Sequence, residues 1–385
     1  MQEDFHYYAT YCAAYIAGYN HEESMEICYS AQLVDYFSKT LLKKLKGPLI
    51  AATTQLQLEL MDARTDILGL QDITRIWASF HFLPKDLYAK NEKRTKRYMK
   101  KYRLICGPDS DLVKKTVELA KDKSLQAAGI AMHVLADTWA HSYFAGTPSL
   151  VINNTDDYFY EILENGERPV KFRHSASAAD DLEKGIYTNS LYQDNENSIM
   201  NLGHGRAGHF PDYSFARYKY MPAWGDYGEM IKDNPSDYMK AFCQMVYALR
   251  YICEECDDFV TGNYHMENVE EYRDRIQSIL EKRQLSASAD WRAFGMELSG
   301  EDIDDFDLNR YQDEYINASG EKKDETFLGR FIKGAIDHKM MVTDEIFRSG
   351  NLLAGYSLEY VENGFKNIKS YMEYLDKLKS MSEFG

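Results

Sequence analysis

A long, largely apolar stretch of this chain reads AAGIAMHVLADTWAHSYFA, from Ala127 to Ala145, and predicts a helix. Earlier, FHYYATYCAAYIAGY at 5–19 predicts a helix closed near Gly18. Asn20, with Glu23 three residues on, predicts the capped start of a second helix. That helix runs through Met25, Ile27, Leu33 and Val34 to about Ser38 and carries Asp35. Within 41–75 the alternation in LIAATTQLQLEL predicts a strand or hairpin. Ile73 to His81 leads into FHFLPKD, where Pro84 ends any helix.

Pro108 and Asp109–Ser110 open a helix that leads, with or without a break, into the central stretch. Residues 147–200 are rich in Asn, Asp and Gly and read as loop. LGHGRAGHFPD at 202–212 holds too much Gly for regular helix throughout. Asn234–Pro235–Ser236 is a strong helix start, followed by Met239, Phe242, Met245, Val246, Leu249 and Ile252 at helical spacing. From about 263 the chain reads as helical and acidic, with a loop at 300–314 and two long helices near 323–348 and 351–380. There is no internal repeat and no Gly/Ser-rich or Pro-rich linker.

Composition narrows the classes. The chain has 385 residues, 44% of them hydrophobic, so it can bury a large core. Its net charge of −16 argues against broad electrostatic binding of nucleic acid, and no stable nucleic-acid complex is expected. No segment approaches the roughly 18 apolar residues that a membrane helix needs. MQEDFHYYATYC lacks the basic and apolar regions of a signal peptide, so the expected location is cytoplasmic. The six cysteines are scattered, and Cys253 and Cys256 form a single CxxC within an amphipathic helix, read as reduced thiols. The one basic run, Lys90 to Arg103, reads as a solvated face.

The central stretch changes the picture. His133, Asp137 and His141 follow one another at four-residue steps, about 6 Å of rise each, so they share a helix face. His133 and His141 are then roughly 12 Å apart along the axis, too far to grip one ion through bonds of about 2 Å. Asp137 lies midway, and its two oxygens suit it to bridge ions held on either side. Ionisable groups in so apolar a context are costly unless paired or metal-bound. His6, Asp35, His81, His204, His209 and Asp212 also lie in aromatic, apolar or Gly-rich contexts. His21, His174, His265 and His338 do not, and His265 and His338 are expected to be exposed. The donors are imidazole and carboxylate with no clustered thiolate, which suits zinc or a similar borderline metal in a hydrolytic site.

The order of these residues resembles that of the zinc-dependent phospholipase C and S1/P1 nuclease superfamily. The carriers are DFHYY, FHFLP, HVLADTWAH and GHG…PD, across roughly residues 4–260. The resemblance implies an all-α fold with two to three zinc ions, in a metal-binding domain at 1–262 with a helical extension at 263–385 packed on it. It implies that Asp35, His81 and His133 hold one zinc, that Asp137 bridges that zinc to the one held by His6, and that His141 and His204 hold another. The last ligand is then Asp212 or His209, and Asp212 is preferred because a carboxylate matches the family.

Three features depart from the family. Five residues precede His6, where the family's first residue chelates zinc, and Asp4 is the candidate substitute for that amino group. His141 follows the bridging Asp by four residues rather than six, and position 208 is Gly rather than an acid. The implied activity is hydrolysis of a phosphoester, whether a phospholipid, a nucleic acid or nucleotide, or a small phosphodiester, by metal-activated water, with Asp35 as the catalytic carboxylate. The alternative is a non-catalytic protein that keeps the cluster as a structural staple. An HD-type phosphohydrolase is set aside, since no His in the chain is followed by Asp.

Overall fold

Several helix starts fall where a side-chain cap is available. The computed structural model describes residues 1–63, 67–90, 99–100, 102–155, 158–173, 179–189, 201–225 and 228–351. A π-helical turn, Asp4–Ala9, runs into α1 (Thr10–Ala17), which Gly18 closes at φ +112°. Asn20 and Glu23 form a complete capping box on α2 (His21–Leu33), each amide bonded to the other's side chain at 3.0 Å. This helix ends at Leu33 rather than near Ser38, and Asp35 sits in the turn that follows.

The alternating leucines at 49–60 form no strand. A 3-10 turn covers Leu49–Ala51 and a helix covers Gln57–Ala63. The Glu59 carboxylate takes the Leu56 amide and the amide and hydroxyl of Thr40, a local side-chain network that outweighs the β pattern. Next come α3 (Ile67–Phe80), α4 (Asp111–Ala120, capped by Ser110) and α5 (Leu125–Ala140, capped by Ser124). The break between α4 and α5 is real. Then follow α6 (Asn234–Ile252), α7 (Arg273–Glu281), α8 (Ser288–Ser299) and α9 (Phe327–Arg348, capped by Thr326).

The all-α expectation holds only in part, because six short strands form two small sheets, four of the strands within 147–200, the stretch read as loop, and two beyond it. The strands are β1 (Phe159–Leu163), β2 (Gly166–Pro169), β3 (Lys171–Arg173), β4 (Ile186–Thr188), β5 (Arg217–Tyr220) and β6 (Met230–Asp233). Four of them pair antiparallel in the order β2-β1-β5-β6, and β3 and β4 pair in parallel. Phe159 faces Tyr220 and Glu161 faces Tyr218 across β1 and β5, and all four are buried. Buried Glu161 is matched by Arg168 Nη2 and Arg283 Nη1, each at 2.6 Å. Strands this short leave little periodic trace, although Arg217–Tyr218–Lys219–Tyr220 does alternate polar and buried residues.

Helix α5 is buried from Gln126 to Ala140 and packs against α2, α4, α6 and α9. One hydrophobic core runs from Met1 to Ile346, so the helices beyond 263 share it. Trp291 of α8 is 1% exposed between Phe5 and Phe242, a burial worth roughly 2–3 kcal/mol. His338, expected on the surface, is buried in α9 and donates from Nε2 to the Ser79 carbonyl at 2.9 Å. His265 is about one-third exposed, with its ring against Glu267 and Asn263. Helix α6 stops at Ile252, so Cys253 caps it and Cys256 lies beyond; all six thiols are free. No helix among the described residues is long and apolar enough to cross a membrane. Most of the basic run (91–98 and 101), His174, and the expected 351–380 helix from 352 onward lie outside the described residues.

Candidate metal centre

A missing side chain sets the geometry of the centre. A Cβ on Gly129 would come within 2.4 Å of the Ile27 carbonyl and 2.5 Å of Ser30 Cβ, so only glycine lets α2 lie this close to α5. One turn later, His133 Nδ1 lies 2.9 Å from the Ala31 carbonyl oxygen. A carbonyl only accepts, so Nδ1 carries the proton and Nε2 turns bare toward Asp137, 3.2 Å from its Oδ2.

The same device recurs at three more histidines. His81, in the turn after α3, donates from Nε2 to the Thr53 carbonyl at 3.1 Å and turns Nδ1 to Asp137 Oδ2 at 3.3 Å. His141, at the C-cap of α5, donates from Nδ1 to the His81 carbonyl at 2.7 Å. Its Nε2 faces Asp212 Oδ1 at 3.1 Å. His204 donates from Nδ1 to the Gly208 carbonyl at 2.8 Å, with Nε2 3.5 Å from Asp212 Oδ2. Gly208 adopts φ +57°, and a Cβ there would meet the Thr188 carbonyl at 2.3 Å, so the residue absent as a ligand is needed as a glycine.

The remaining two residues come from the N-terminal elements. His6, on the π-helical turn, is fully buried with Nε2 3.1 Å from Asp137 Oδ1, yet neither ring nitrogen makes an aligned hydrogen bond. Asp35 forms the open edge, its side chain 32% exposed. Gln32 Nε2 donates to its Oδ2 at 3.3 Å, and Oδ1 lies 3.8 Å from His81 Nδ1 and 3.9 Å from His133 Nε2.

All eight residues named as metal ligands from the sequence therefore meet in one place, and they resolve into three groups. His6, His133 and Asp137 form one, Asp35, His81 and His133 the second, and His141, His204 and Asp212 the third; within each, donor atoms lie within 4.8 Å of one another. His209 does not join them. Its half-exposed ring pairs instead with Asp180 Oδ2 at 3.3 Å.

Asp4 does not stand in for an amino group. Its carboxylate is buried and accepts the Ala287 amide at 2.8 Å, tying the N-terminal turn to the start of α8. The α-amino group of Met1 itself reaches the cluster, 2.6 Å from Asp137 Oδ1, 3.3 Å from Asp212 Oδ1 and 3.2 Å from His141 Nε2. Burial opposes its charge, but Asp137, Asp212 and Asp35 outweigh that and raise its pKa to about 11.

The electrostatics suit a cation. Burial pushes His6 down to about 3 and His204 to about 4, leaving both rings neutral and able to coordinate. Burial alone would raise Asp137 and Asp212. Neighbouring imidazoles and the ammonium overcome it, His141 foremost at Asp137 and His204 at Asp212, and hold both carboxyls well below their usual range. The ammonium marks a position where positive charge is stable, and neither buried His6 ring nitrogen has an aligned hydrogen-bond partner. Several buried His/Asp groups here can thus hold metal ions.

Over residues 1–346 the chain matches the model of a family described as a family of unknown function, DUF6765. It belongs to that family. No curated protein and no solved structure matches it. The family match spans both the elements that carry the candidate ligands and the helices beyond 263. Sequence reasoning missed the partners that orient the ligands, namely the carbonyls of Ala31, Thr53, His81 and Gly208 and the Gln32 amide. Main-chain partners leave no trace in residue identity; the glycines at 129 and 208 are the only local signal of them.

Proposed function

We propose that this protein is a multi-zinc hydrolase that cleaves a phosphoester, related in its chemistry to zinc-dependent phospholipase C and the S1/P1 nucleases. The observation that carries this reading is the meeting of eight imidazole and carboxylate side chains in three groups, with Asp35 at a solvent-facing edge. Imidazole and carboxylate without thiolate favour zinc in a hydrolytic role, in two to three ions here. His6, His133 and Asp137, with Asp35, His81, His141, His204 and Asp212, are the residues that would hold it.

Bound zinc supplies Lewis acidity toward a phosphoryl oxygen and makes a coordinated water acidic near neutral pH. Asp35 does the proton work of the chain itself. Its carboxylate is steadied by Gln32 and reachable from solvent, so it orients water at the edge and accepts a proton from it. The carbonyl-bound histidines keep their bare nitrogens fixed, so the site needs little rearrangement to bind a cation. The substrate class is a phosphodiester-type molecule, a phospholipid or a nucleotide.

A purely structural staple would enclose every donor, and the exposure of Asp35 favours the hydrolase. Protein purified without chelator should carry two to three zinc equivalents by elemental analysis. It should hydrolyse a generic aryl phosphodiester, with activity lost on chelation and restored by zinc. Less than one equivalent, with no uptake from added zinc, overturns the metal reading; full zinc without any phosphodiester or phosphomonoester hydrolysis leaves the staple.

A further inference from the structure

Asp212 and His141 come from turns 71 residues apart in sequence, yet their side chains meet at 3.1 Å. One short stretch of chain, the junction of β6 and α6, grips the main chain of both turns. Lys232, 2% exposed, donates from Nζ to the Trp139 carbonyl at 2.8 Å and to Ser142 Oγ at 2.6 Å, on either side of His141. Its charge is matched by Asp237 Oδ2 at 2.5 Å, and it sits at the C-terminal end of α5, where a cation favours the helix dipole.

Two residues on, Asn234 is fully buried. Its Nδ2 donates to the carbonyls of Phe210 at 2.9 Å, Pro211 at 3.3 Å and Tyr213 at 2.8 Å, surrounding Asp212. Tyr238, one turn into α6, adds a hydroxyl bond to the Pro211 carbonyl at 3.0 Å. Lys232, near the end of β6, and Asn234, at the start of α6, thus reach the two turns from one junction.

We propose that this junction is a clamp that fixes the separation of His141 and Asp212, with Lys232 and Asn234 as positioning residues for the third ligand group. The inference rests on the reading of that group as a metal site. Its chemistry is that of outer-shell support: neither residue touches a metal or substrate, and both hold main chain that aims a ligand. Changes to such partners typically weaken metal binding 10- to 100-fold.

The test is zinc titration against a competing chromogenic chelator, which counts tight sites and measures each affinity. Wild type is compared with Lys232→Met, Lys232→Arg and Asn234→Ala, with circular dichroism to verify folding. Lys232→Met and Asn234→Ala should each weaken one zinc equivalent by about 10- to 100-fold and leave the others tight, and Lys232→Arg should recover part of the loss. Folded variants that keep every site at wild-type affinity, or that weaken all sites equally, overturn the clamp. Should Lys232→Met or Asn234→Ala fail to fold, Tyr238→Phe and Ser142→Ala each remove a single bond and are read the same way. A wild type that takes up no zinc overturns the metal reading, whereas tight zinc unaffected by the variants overturns the clamp alone.

Discussion

His133 donates its Nδ1 proton to the carbonyl of Ala31 at 2.9 Å, a bond between the closely packed helices α5 and α2. It aims the other ring nitrogen at Asp137. The contact exists because Gly129 lets the helices close, so Gly129→Ala is the sharpest test of it. In an exposed helix that change would stabilise by up to about 1 kcal/mol. Here the new methyl meets main chain at 2.4 Å, so the expectation is a loss of about 1–3 kcal/mol by denaturant unfolding, together with weaker zinc binding. A stabilised variant would show that the helices can part without cost.

Asp137 lies within 3.5 Å of four histidine rings and 2.6 Å of the Met1 amine, and it separates a metal cluster from an ordinary buried ion pair. Asp137→Asn keeps the shape and removes the charge. At least one zinc equivalent should be lost, hydrolysis should fall by orders of magnitude, and the holoprotein should melt at lower temperature. Equal zinc content in wild type and variant, measured side by side, would remove Asp137 from the centre of this account.

His338 predicts an acid limb in the stability curve. Burial lowers its pKa from 6.5 to about 4, opposed weakly by its bond to Ser79, with His133 and Lys339 nearby adding to the effect. Between those values the unfolded chain binds the proton and the folded chain does not. Stability therefore falls as pH drops through that window, with a slope of up to about 1.4 kcal/mol per pH unit from this group. His338→Gln, which can still donate to Ser79, should flatten the curve between pH 6.5 and 4 relative to wild type. Parallel urea-unfolding curves for the two proteins across that range would count against it.

The helices beyond 263 should not come away as a module. Trp291 sits between Phe5 and Phe242, Asp4 holds the Ala287 amide, and α9 lies on α3 and α5. Limited proteolysis should spare residues 263–348 for as long as it spares α5. Early release of a stable fragment ending near 262 would mean an independent extension.

Local chemistry was legible in the sequence wherever a few neighbouring residues decide it. Asn20 with Glu23, and Ser110, cap the helices they precede, because a cap bonds amides two or three residues away. The four-residue spacing of His133, Asp137 and His141 places them along one helix by the same local logic, and residue type, local context and the order shared with a known family nominated their partners. The leucine alternation at 49–60 misled because a Glu59 network, not the period, settled that segment. The sheet escaped because strands of three to five residues carry almost no periodic signal.

Tertiary structure alone decided the rest. Which of His209 and Asp212 meets His141, whether Asp4 or the Met1 amine reaches Asp137, and whether His338 is buried all depend on contacts between segments far apart in sequence. Those contacts follow from how closely whole helices approach, and that distance is set by packed volume, such as the missing methyl at Gly129, rather than by any local period. The protonated nitrogen of each ligand histidine is chosen the same way, by a carbonyl oxygen that any residue type would have supplied.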